Sequence, residues 1–276
     1  MANTLNSALE IVVRTDPGMV REHNEDAVFA NPNLGLAILA DGMGGYNAGE
    51  VASGMATMLL SAELEAAFSA TLPHETDATT GQRFAHRCIV DKVSQTNRAI
   101  FDAAQAQPQY AGMGTTLVLA VFYDDLVTVA HIGDSRLYRL RGDEFRTLTR
   151  DHSLLQEQID SGVISVEDAR FSQNKNLVTR AVGVDPDVET EIHDYPVLPG
   201  DIYVLCSDGL NDMLEDEEIR LTLQTLAANL ELAAGQLIQM ANDKGGRDNV
   251  SVIVIKVLRE FPAAGGWWSK FMARVK

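Results

Sequence analysis

The sequence predicts an α+β fold of stacked β-sheets flanked by helix pairs. Three observations carry this prediction. Short apolar runs rich in β-branched residues are bounded by turn residues, as is typical of buried strands. Two long segments, and a further pair late in the chain, have helical periodicity. The strand-like runs follow one another as in hairpins, which favours antiparallel sheets over regular β-α-β units.

The predicted strands are nearly continuous in apolar character, so we expect both of their faces to be buried. They comprise residues 10–14, 34–40, 115–122, 126–132, 136–141, 202–206 and 250–257. The predicted helices comprise residues 48–70, 83–106, 215–228 and 232–244. A polar loop, residues 71–82, joins the first two helices.

The chain is acidic and large enough for a substantial core. Among its 276 residues, 39 acidic side chains outnumber 22 basic ones, which gives a formal charge of −17, and 46% of the residues are hydrophobic. The charge argues against nonspecific nucleic-acid binding, which depends on Lys and Arg. Neither Cys88 nor Cys206 belongs to a CxxC pair, and no segment has the pattern of a signal peptide or a membrane span. We expect a soluble protein of the reducing cytoplasm.

Two segments stand apart from the predicted core. Residues 151–173 are polar with weak periodicity, which predicts a mobile insertion between strands. Near the C-terminus, residues 261–266 have the composition of a linker and precede the basic, aromatic tail WWSKFMARVK. We expect the tail to dock on the core as a short helix or to fray. Weak contact with an anionic membrane or a partner protein is the alternative.

Acidic residues recur at the ends of predicted strands, most of them beside glycine. Three strand-like runs end in such an aspartate, a fourth aspartate precedes the last strand, and two acidic residues precede an early apolar run. These residues are Asp41, Asp134, Asp208, Asp248, Glu25 and Asp26. A single one is most simply a turn former. Several of them on different strands predict that their side chains converge in one cleft.

Carboxylates in one cleft repel one another, and a divalent cation would offset this repulsion. Oxygen ligands favour Mg²⁺ or Mn²⁺ over zinc, and an aspartate that bridges two ions can activate a water molecule. In the segment DGMGG, the lack of side chains lets a backbone carbonyl such as that of Gly42 approach an ion. Arg21, four residues before Glu25, has the planar fork that suits a phosphate.

The sequence lacks the motifs of other enzymes that act on or bind phosphate groups. A cysteine-based phosphatase has five residues between its cysteine and an arginine, but the corresponding position after Cys206 is Asp212. The chain has no DxDx[TV] aspartyl-phosphate pattern after a strand, no P-loop and no GxGxxG at a dinucleotide-binding position. A metal-activated water is the chemistry that the residues favour.

Eight segments match, in order, the motifs of a known family. They are RTDPGMVREHNEDAVF, LAILADGMGG, GMGTTLVLA, HIGDSRLYRLR, LTRDHSLLQEQI, TRAVG, LCSDGLNDML and DNVSVIVIKV. Over residues 10–257 the chain resembles the bacterial metal-dependent (type 2C, PPM family) protein serine/threonine phosphatases. The resemblance implies a four-layer α-β-β-α fold, a central antiparallel β-sandwich flanked by pairs of antiparallel helices. It implies a catalytic domain over residues 1–260 with a flap at about 151–176, and a linker and tail over 261–276.

The resemblance also implies a metal centre. Asp41 would bridge two Mn²⁺ or Mg²⁺ ions, and Gly42 would offer its carbonyl oxygen. Asp208 and Asp248 would complete the core site.

Further roles are implied around this centre. Glu25 would act mainly through metal-bound water, with Asp26 beside it. A third, weaker ion would use Asp134 and Asp208. Arg21 would be the catalytic residue that binds the substrate phosphate.

The residue at position 43 leaves the proton donor open. Many eukaryotic relatives have a histidine there, proposed to protonate the departing alkoxide. This chain, like many bacterial relatives, has Met43, which cannot donate a proton. A metal-bound water and the catalytic candidate His152, at the start of the flap, are the two alternatives. His152 has a structural interpretation as well, in which it packs or caps the base of the flap.

Together with these residues, the resemblance implies a metal-dependent protein serine/threonine phosphatase. A metal-bridging hydroxide would hydrolyse phosphoserine and phosphothreonine without a covalent intermediate. The expected partners are phosphorylated proteins and a cognate serine/threonine kinase, with no nucleic acid, and the expected state is a monomer. Two alternatives are a catalytically weak phosphoprotein-binding module and a metal-dependent phosphodiesterase, which the acidic surface disfavours.

Overall fold

A computed structural model describes residues 5–45, 48–165, 168 and 177–262 of the chain. Two antiparallel sheets pack face to face, and a pair of helices covers the outer side of each. The predicted four-layer α-β-β-α architecture is confirmed. None of the helices in these ranges is both long and apolar enough to cross a membrane.

Eleven strands in the described ranges form the two sheets. In chain order, the strands are β1 (Leu9–Asp16), β2 (Asp26–Asn31), β3 (Leu36–Met43), β4 (Gly114–Thr115), β5 (Leu117–Tyr123), β6 (Leu126–Ile132), β7 (Arg136–Arg141), β8 (Glu144–Thr147), β9 (Glu191–Pro196), β10 (Ile202–Cys206) and β11 (Val250–Val257). The helices are α1 (Ala48–Ala70), α2 (Phe84–Ala106), α3 (Leu154–Asp160), α4 (Asp208–Asn211), α5 (Asp216–Thr225) and α6 (Leu230–Asp243).

The two sheets differ in strand order. One runs β1-β11-β10-β7-β8, and the other runs β2-β3-β5-β6-β9, with β4 paired to the end of β3. Strand β5 shows why the core strands have no polar face. Its odd-numbered residues, such as Leu119, pack toward α1 and α2, whereas its even-numbered residues, such as Phe122, pack between the sheets. Because successive side chains point to opposite faces, a strand between two layers must be apolar throughout.

Three apolar layers hold the architecture together. The first lies between α1, α2 and the β2–β9 sheet, and includes Leu60 and Ile89. The second lies between the two sheets, where Phe122 and Tyr203 meet edge to face at 5.2 Å. The third lies between the other sheet and α5 and α6, and includes Leu237. The sandwich is thereby rigid enough to hold residues from distant segments at one end.

Some predicted boundaries were wrong, with physical reasons. Strand β3 continues through Asp41 to Met43 because β4 extends its hydrogen-bonded ladder, so Asp41 lies inside the strand and not after it. Asp208 begins a short helix, α4. Strands β8 and β9 were missed because they lie at sheet edges and are only partly buried.

The predicted insertion at 151–176 is described only in part. Its first half contains the helix α3, capped by the Ser153 hydroxyl, which accepts a hydrogen bond from the Gln156 amide at 3.2 Å. Residues 166–167 and 169–176 lie outside the described residues. The same holds for residues 263–276, which include the predicted basic and aromatic tail.

Candidate active site

The acidic residues that the sequence singled out meet at one end of the sandwich. Asp41, from β3, lies within electrostatic reach of Asp26, Asp134, Asp208 and Asp248. These residues come from β2, the turn after β6, the start of α4 and the turn before β11. The predicted convergence is therefore observed, and we call this group of carboxylates, together with Glu25 and Arg21, the acidic cleft.

Asp26 and Asp41 are neighbours within the acidic cleft. They lie directly opposite each other in the antiparallel pairing of β2 and β3. The Ser207 hydroxyl donates a hydrogen bond to one carboxylate oxygen of Asp26 at 2.8 Å. The other oxygen, Oδ1, is buried and has no hydrogen-bond partner among the described residues. A buried oxygen without a donor is a position where a cation would be favourable.

The backbone of Asp41 is fixed by the strand beside it. Its N–H donates to the Thr116 hydroxyl at 3.1 Å, and its carbonyl accepts from the Thr115 hydroxyl and the Thr116 N–H, both at 2.8 Å. The Thr116 hydroxyl also bonds to that of Ser135 at 2.7 Å, which is next to Asp134. The backbone is satisfied by the protein, so the carboxylate of Asp41 is left for the cleft.

Gly42 occupies a position that no other residue fits. A Cβ there would lie 2.1 Å from the Gly49 carbonyl oxygen and 2.7 Å from that of Glu25. The Gly42 N–H donates to the Glu25 carbonyl at 3.1 Å. The start of α1 thus packs directly on the backbone next to Asp41, which keeps side chains away from this part of the cleft.

Asn249 anchors the loop that carries Arg21, a role that the sequence reasoning missed. Its amide Nδ2 donates to the carbonyls of Pro17 and His23 at 3.0 and 2.9 Å, and its Oδ1 accepts from the Glu25 N–H at 2.8 Å. The loop that carries Arg21 is thereby tied to the residue next to Asp248. The available signal was an amide side chain, both donor and acceptor, directly after a candidate ligand.

Arg21 forms an ion pair with Asp248, one of the carboxylates of the acidic cleft. A guanidinium nitrogen of Arg21 donates to Asp248 Oδ2 at 2.7 Å. This hydrogen bond raises the pKa of Arg21. The Arg21 side chain is 51% exposed, so its remaining N–H groups face solvent at the mouth of the cleft.

The carboxyl groups of the cleft hold their protons more tightly than ordinary carboxyls. Burial, followed by repulsion from neighbouring carboxylates, raises the pKa of Asp41 and of Asp208 well above the usual range. Burial also raises the pKa of Asp26 and of Asp134 to about 6. The pKa of Glu25 is raised, again mainly by burial. Such shifts mark negative charge that the protein itself does not neutralise.

This donor set fits hard divalent cations. The ligands available are carboxylate and carbonyl oxygens, which Mg²⁺ and Mn²⁺ prefer, and no thiol or imidazole lies among the residues of the acidic cleft. The buried Asp26 Oδ1 and the raised pKa values of Asp41 and Asp208 both indicate that positive charge would be favourable at this end of the sandwich.

His152 lies beside the cleft, in contact with the turn that carries Asp134. It is 9% exposed, its Nδ1 accepts a hydrogen bond from the Gly133 N–H at 3.1 Å, and its ring stacks on His131 with centroids 4.8 Å apart. Burial and the neighbouring His131 lower its pKa.

His131, His152 and Glu191 also have potential metal-ligating atoms within 4.8 Å of one another. The two imidazole rings are nearly parallel, at 14°, and lie face to face. Histidine binds a metal along a lone pair in the ring plane, about 2.0–2.1 Å from zinc, for example. In stacked rings these directions run side by side and do not meet at one ion. The trio is therefore held by the ring stack and by the contact of His152 Nε2 with Glu191 Oε2 at 3.3 Å, and it is not arranged for chelation.

Comparisons with known proteins identify similar sequences and structures. The family model for protein phosphatase 2C matches residues 20–242. The serine/threonine phosphatase Stp of Listeria innocua is 39% identical over 246 residues, which cover 88% of this chain and 94% of that protein.

Two solved structures are similar along nearly their whole length. The crystal structure of the serine/threonine phosphatase PstP/Ppp of Mycobacterium tuberculosis has a TM-score of 0.81 at 35% identity, covering 91% of this chain and 100% of that one. A PstP catalytic domain in complex with two manganese ions has a TM-score of 0.77 at 36% identity, covering 91% and 99%. The chain therefore belongs to the protein phosphatase 2C family, as its motifs predict.

Proposed function

We propose that this chain, a metal-dependent protein serine/threonine phosphatase, releases phosphate from phosphoserine and phosphothreonine in a single step within the acidic cleft. The observation that carries the proposal is the group of carboxylates that converge around Asp41, with Arg21 paired to Asp248 beside them. Bound Mn²⁺ or Mg²⁺ would acidify water for attack on phosphorus and withdraw charge from the phosphate.

The proposed ligands follow the sequence predictions. Asp41 would bridge two ions, with Gly42 contributing its carbonyl. Asp208 and Asp248 would complete the core site. The strand pairing and the threonine hydroxyls that fix the backbone of Asp41 support its role, since a bridging ligand must be held in one orientation.

Two more residues would serve the outer part of the centre. Glu25, whose backbone is anchored by Asn249, would act through water. Asp134, with Asp208, would hold a third and weaker ion. The donor set supports these roles because each of these side chains ends in oxygen.

Arg21 is proposed to bind the substrate phosphate. A guanidinium has five N–H donors, and the ion pair with Asp248 uses one nitrogen. The exposed remainder of the fork would donate to two phosphate oxygens, a geometry that lysine cannot reproduce. No covalent bond between enzyme and phosphate is required, so the residues need only position and stabilise the reacting groups.

The leaving serine or threonine oxygen needs a proton, for which there are two candidate sources, solvent at the metal centre and His152. Both ring nitrogens of His152 have protein hydrogen-bond partners, Gly133 and Glu191. This supports solvent as the source.

Phosphoproteins are the substrates, and a cognate serine/threonine kinase that phosphorylates them is part of the proposal. We also propose that the protein is a monomer and that it acts in the cytoplasm. The two free, buried cysteines support this location, because the cytoplasm is a reducing compartment. A weak contact of the tail with a membrane or a partner stays a proposal, because the tail lies outside the described residues.

The experiment compares phosphatase activity on a phosphothreonine peptide with and without Mn²⁺, in the native chain and in Asp41→Asn. We expect Mn²⁺-dependent phosphate release that a chelator abolishes and that Asp41→Asn lacks. Binding of the peptide without turnover would instead favour the phosphoprotein-binding module. Faster hydrolysis of bis-p-nitrophenyl phosphate than of the peptide would favour a phosphodiesterase.

A further inference from the structure

We propose that His152 is a positioning residue, which fixes the backbone at Gly133 and thereby the direction of the Asp134 carboxylate, and that it does not supply the proton to the leaving group. This inference rests on the proposed function, because it assigns how one proposed ligand of that centre is held.

Two hydrogen bonds join His152 to Gly133 in both directions. The Gly133 N–H donates to His152 Nδ1 at 3.1 Å, and the His152 N–H donates to the Gly133 carbonyl at 2.9 Å. Gly133 has φ of +100°, in the region that favours glycine, and a Cβ there would lie 2.7 Å from a methyl carbon of Thr116. Asp134 directly follows this turn and is 7% exposed. Because glycine can adopt many backbone conformations at little cost, the two hydrogen bonds to His152 select this one.

The proton on the His152 ring faces Glu191 and not the acidic cleft. Because Nδ1 accepts from Gly133, the proton of the neutral ring is on Nε2. That nitrogen lies 3.3 Å from Oε2 of Glu191, and a guanidinium nitrogen of Arg180 lies 3.4 Å from it. Glu191 is not one of the acidic-cleft residues; it is bonded in turn to His193 at 3.0 Å. A ring held in this tautomer orients its neighbours, as residues next to metal ligands commonly do.

The rest of the ring is fixed by packing. His152 stacks on His131, whose Nε2 lies 2.8 Å from the Arg150 carbonyl oxygen. The neighbouring Asp151 accepts three hydrogen bonds from the guanidinium of Arg136, at 2.7 to 3.1 Å. The stack and the hydrogen bonds to Gly133 and Glu191 hold the imidazole in one orientation.

His152 also joins the turn of Asp134 to the base of the flap. Its carbonyl accepts from the Thr179 N–H at 2.8 Å, and the next residue, Ser153, pairs with Val178 in an isolated β-bridge. The segment that enters the flap and the segment that leaves it thus meet at His152. One residue sets the position of both the flap base and the proposed ligand.

Two substitutions separate positioning from proton donation. In His152→Asn, the side-chain carbonyl can accept from Gly133 as Nδ1 does, but no acidic ring proton remains. In His152→Ala the acceptor is lost. We expect His152→Ala to lower kcat by about 10–100-fold, the usual cost of changing an outer-shell residue, and His152→Asn to recover most of that loss. Equal loss in both variants would overturn the proposal.

The leaving group gives a second criterion. Loss of positioning lowers the rates on a phosphothreonine peptide and on p-nitrophenyl phosphate by similar factors. Loss of a proton donor lowers the rate on the peptide far more, because an alkoxide needs the proton and p-nitrophenolate does not. A selective loss on the peptide would therefore contradict our assignment.

A third measurement needs no activity. Hydrogen exchange at the Gly133 amide, in chelator-treated protein, should be faster in His152→Ala and close to native in His152→Asn. Unchanged exchange in a folded His152→Ala would refute the positioning role even if the native chain is an active phosphatase. An inactive native chain would refute the proposed function, and the exchange result would still decide the role of His152. If the alanine variant does not fold, His152→Asn decides alone. Faster hydrogen exchange at Gly133, or a loss of rate confined to the peptide, would then contradict the positioning role.

Discussion

Two aspartates in the same sheet have opposite surroundings. Asp194, in β9, contacts the guanidinium of Arg83, and accepts hydrogen bonds from His86 at 2.8 Å and from the Thr128 hydroxyl at 2.5 Å. Burial acts to raise its pKa, but the hydrogen bonds from His86 and Thr128, together with the charges of His86 and Arg83, outweigh burial and lower it. Asp41, in β3, is surrounded by other carboxylates, and its pKa is raised well above the usual range.

The difference distinguishes an aspartate whose charge is balanced by the protein from one whose charge requires a bound cation. The chain supplies cationic and hydroxyl partners to Asp194, so that charge stabilises the fold. Around Asp41 it supplies more negative charge, which costs stability unless a cation binds. The same Asp→Asn change should therefore have opposite consequences in the two places.

The largest effect is expected at the acidic cleft. Asp41→Asn should lower phosphopeptide turnover by more than the about 100-fold that outer-shell changes cost, since it removes a proposed ligand. The metal-free variant should unfold at the same temperature as the native chain or higher, because a repelling charge is lost. Activity assays and thermal unfolding in chelator test both statements. Near-native turnover would remove Asp41 from the centre.

A smaller effect on activity is expected at the cleft mouth. Arg21→Ala should lower kcat/KM by about 10–100-fold, corresponding to the loss of a charged hydrogen-bonding group worth about 1.5–3 kcal/mol. Arg21→Lys keeps the charge but not the fork, so its activity should stay well below native. Steady-state kinetics on a phosphothreonine peptide measure this. If lysine restores full activity, charge alone is sufficient and the bidentate role is wrong.

The stability of the metal-free chain should depend on pH in a defined direction. Asp26 and Asp134 have pKa values of about 6 in the folded chain, against about 3.9 for an ordinary aspartate in the unfolded chain. Between these values the folded state binds more protons, so the free energy of unfolding falls as pH rises through this interval. The groups that face them are Ser207, Ser251, Asp41 and Asp248 for Asp26, and Asp151, Asp212 and Arg136 for Asp134.

Asp134→Asn provides the matched comparison for this pH effect. In chelator, its unfolding free energy should decline less than that of the native chain between about pH 4 and pH 7, by about 1–3 kcal/mol. Denaturant titrations at several pH values measure the difference. Identical pH profiles for the two proteins would show that the Asp134 carboxyl is not perturbed.

The smallest effect on activity should appear at Asp194. Asp194→Asn leaves Arg83 and His86 without their anionic partner, and should destabilise the fold by about 1–3 kcal/mol, since Asp194 is 19% exposed and its pair is partly screened. Activity on a phosphopeptide should stay close to native in the folded fraction. Urea unfolding and a specific-activity assay check the two parts. A stabilised Asp194→Asn would erase the contrast with Asp41.

The sequence predicted the layers and the convergence of the acidic residues, but not how they are held. Continuous apolar runs such as β5 can be recognised from residue type alone, because burial on both faces leaves no polar position. That Asp26 lies opposite Asp41 depends on the register of β2 against β3, which no local pattern determines. The anchoring of Glu25 by Asn249 joins residues 224 positions apart. Such contacts follow from topology and not from spacing.

The same limit applies to His152. The sequence suggested two interpretations, a proton donor or a structural residue at the flap base. Choosing between them required the hydrogen bond from Gly133, which fixes the ring tautomer. Conversely, the Asp194 cluster was not predicted, because Arg83 precedes α2 whereas Thr128 and Asp194 lie in β6 and β9, and only packing brings the three together.

Calorimetric titration of the chelator-treated chain with Mn²⁺ at neutral pH tests the central claim most directly, with Asp194→Asn as the matched control for Asp41→Asn. We expect the native chain and Asp194→Asn to bind Mn²⁺ alike, and Asp41→Asn to lose the tightest binding. Equal Mn²⁺ binding by Asp41→Asn and the native chain would contradict the account, since the unneutralised carboxylates at the end of the sandwich would then not be the metal site.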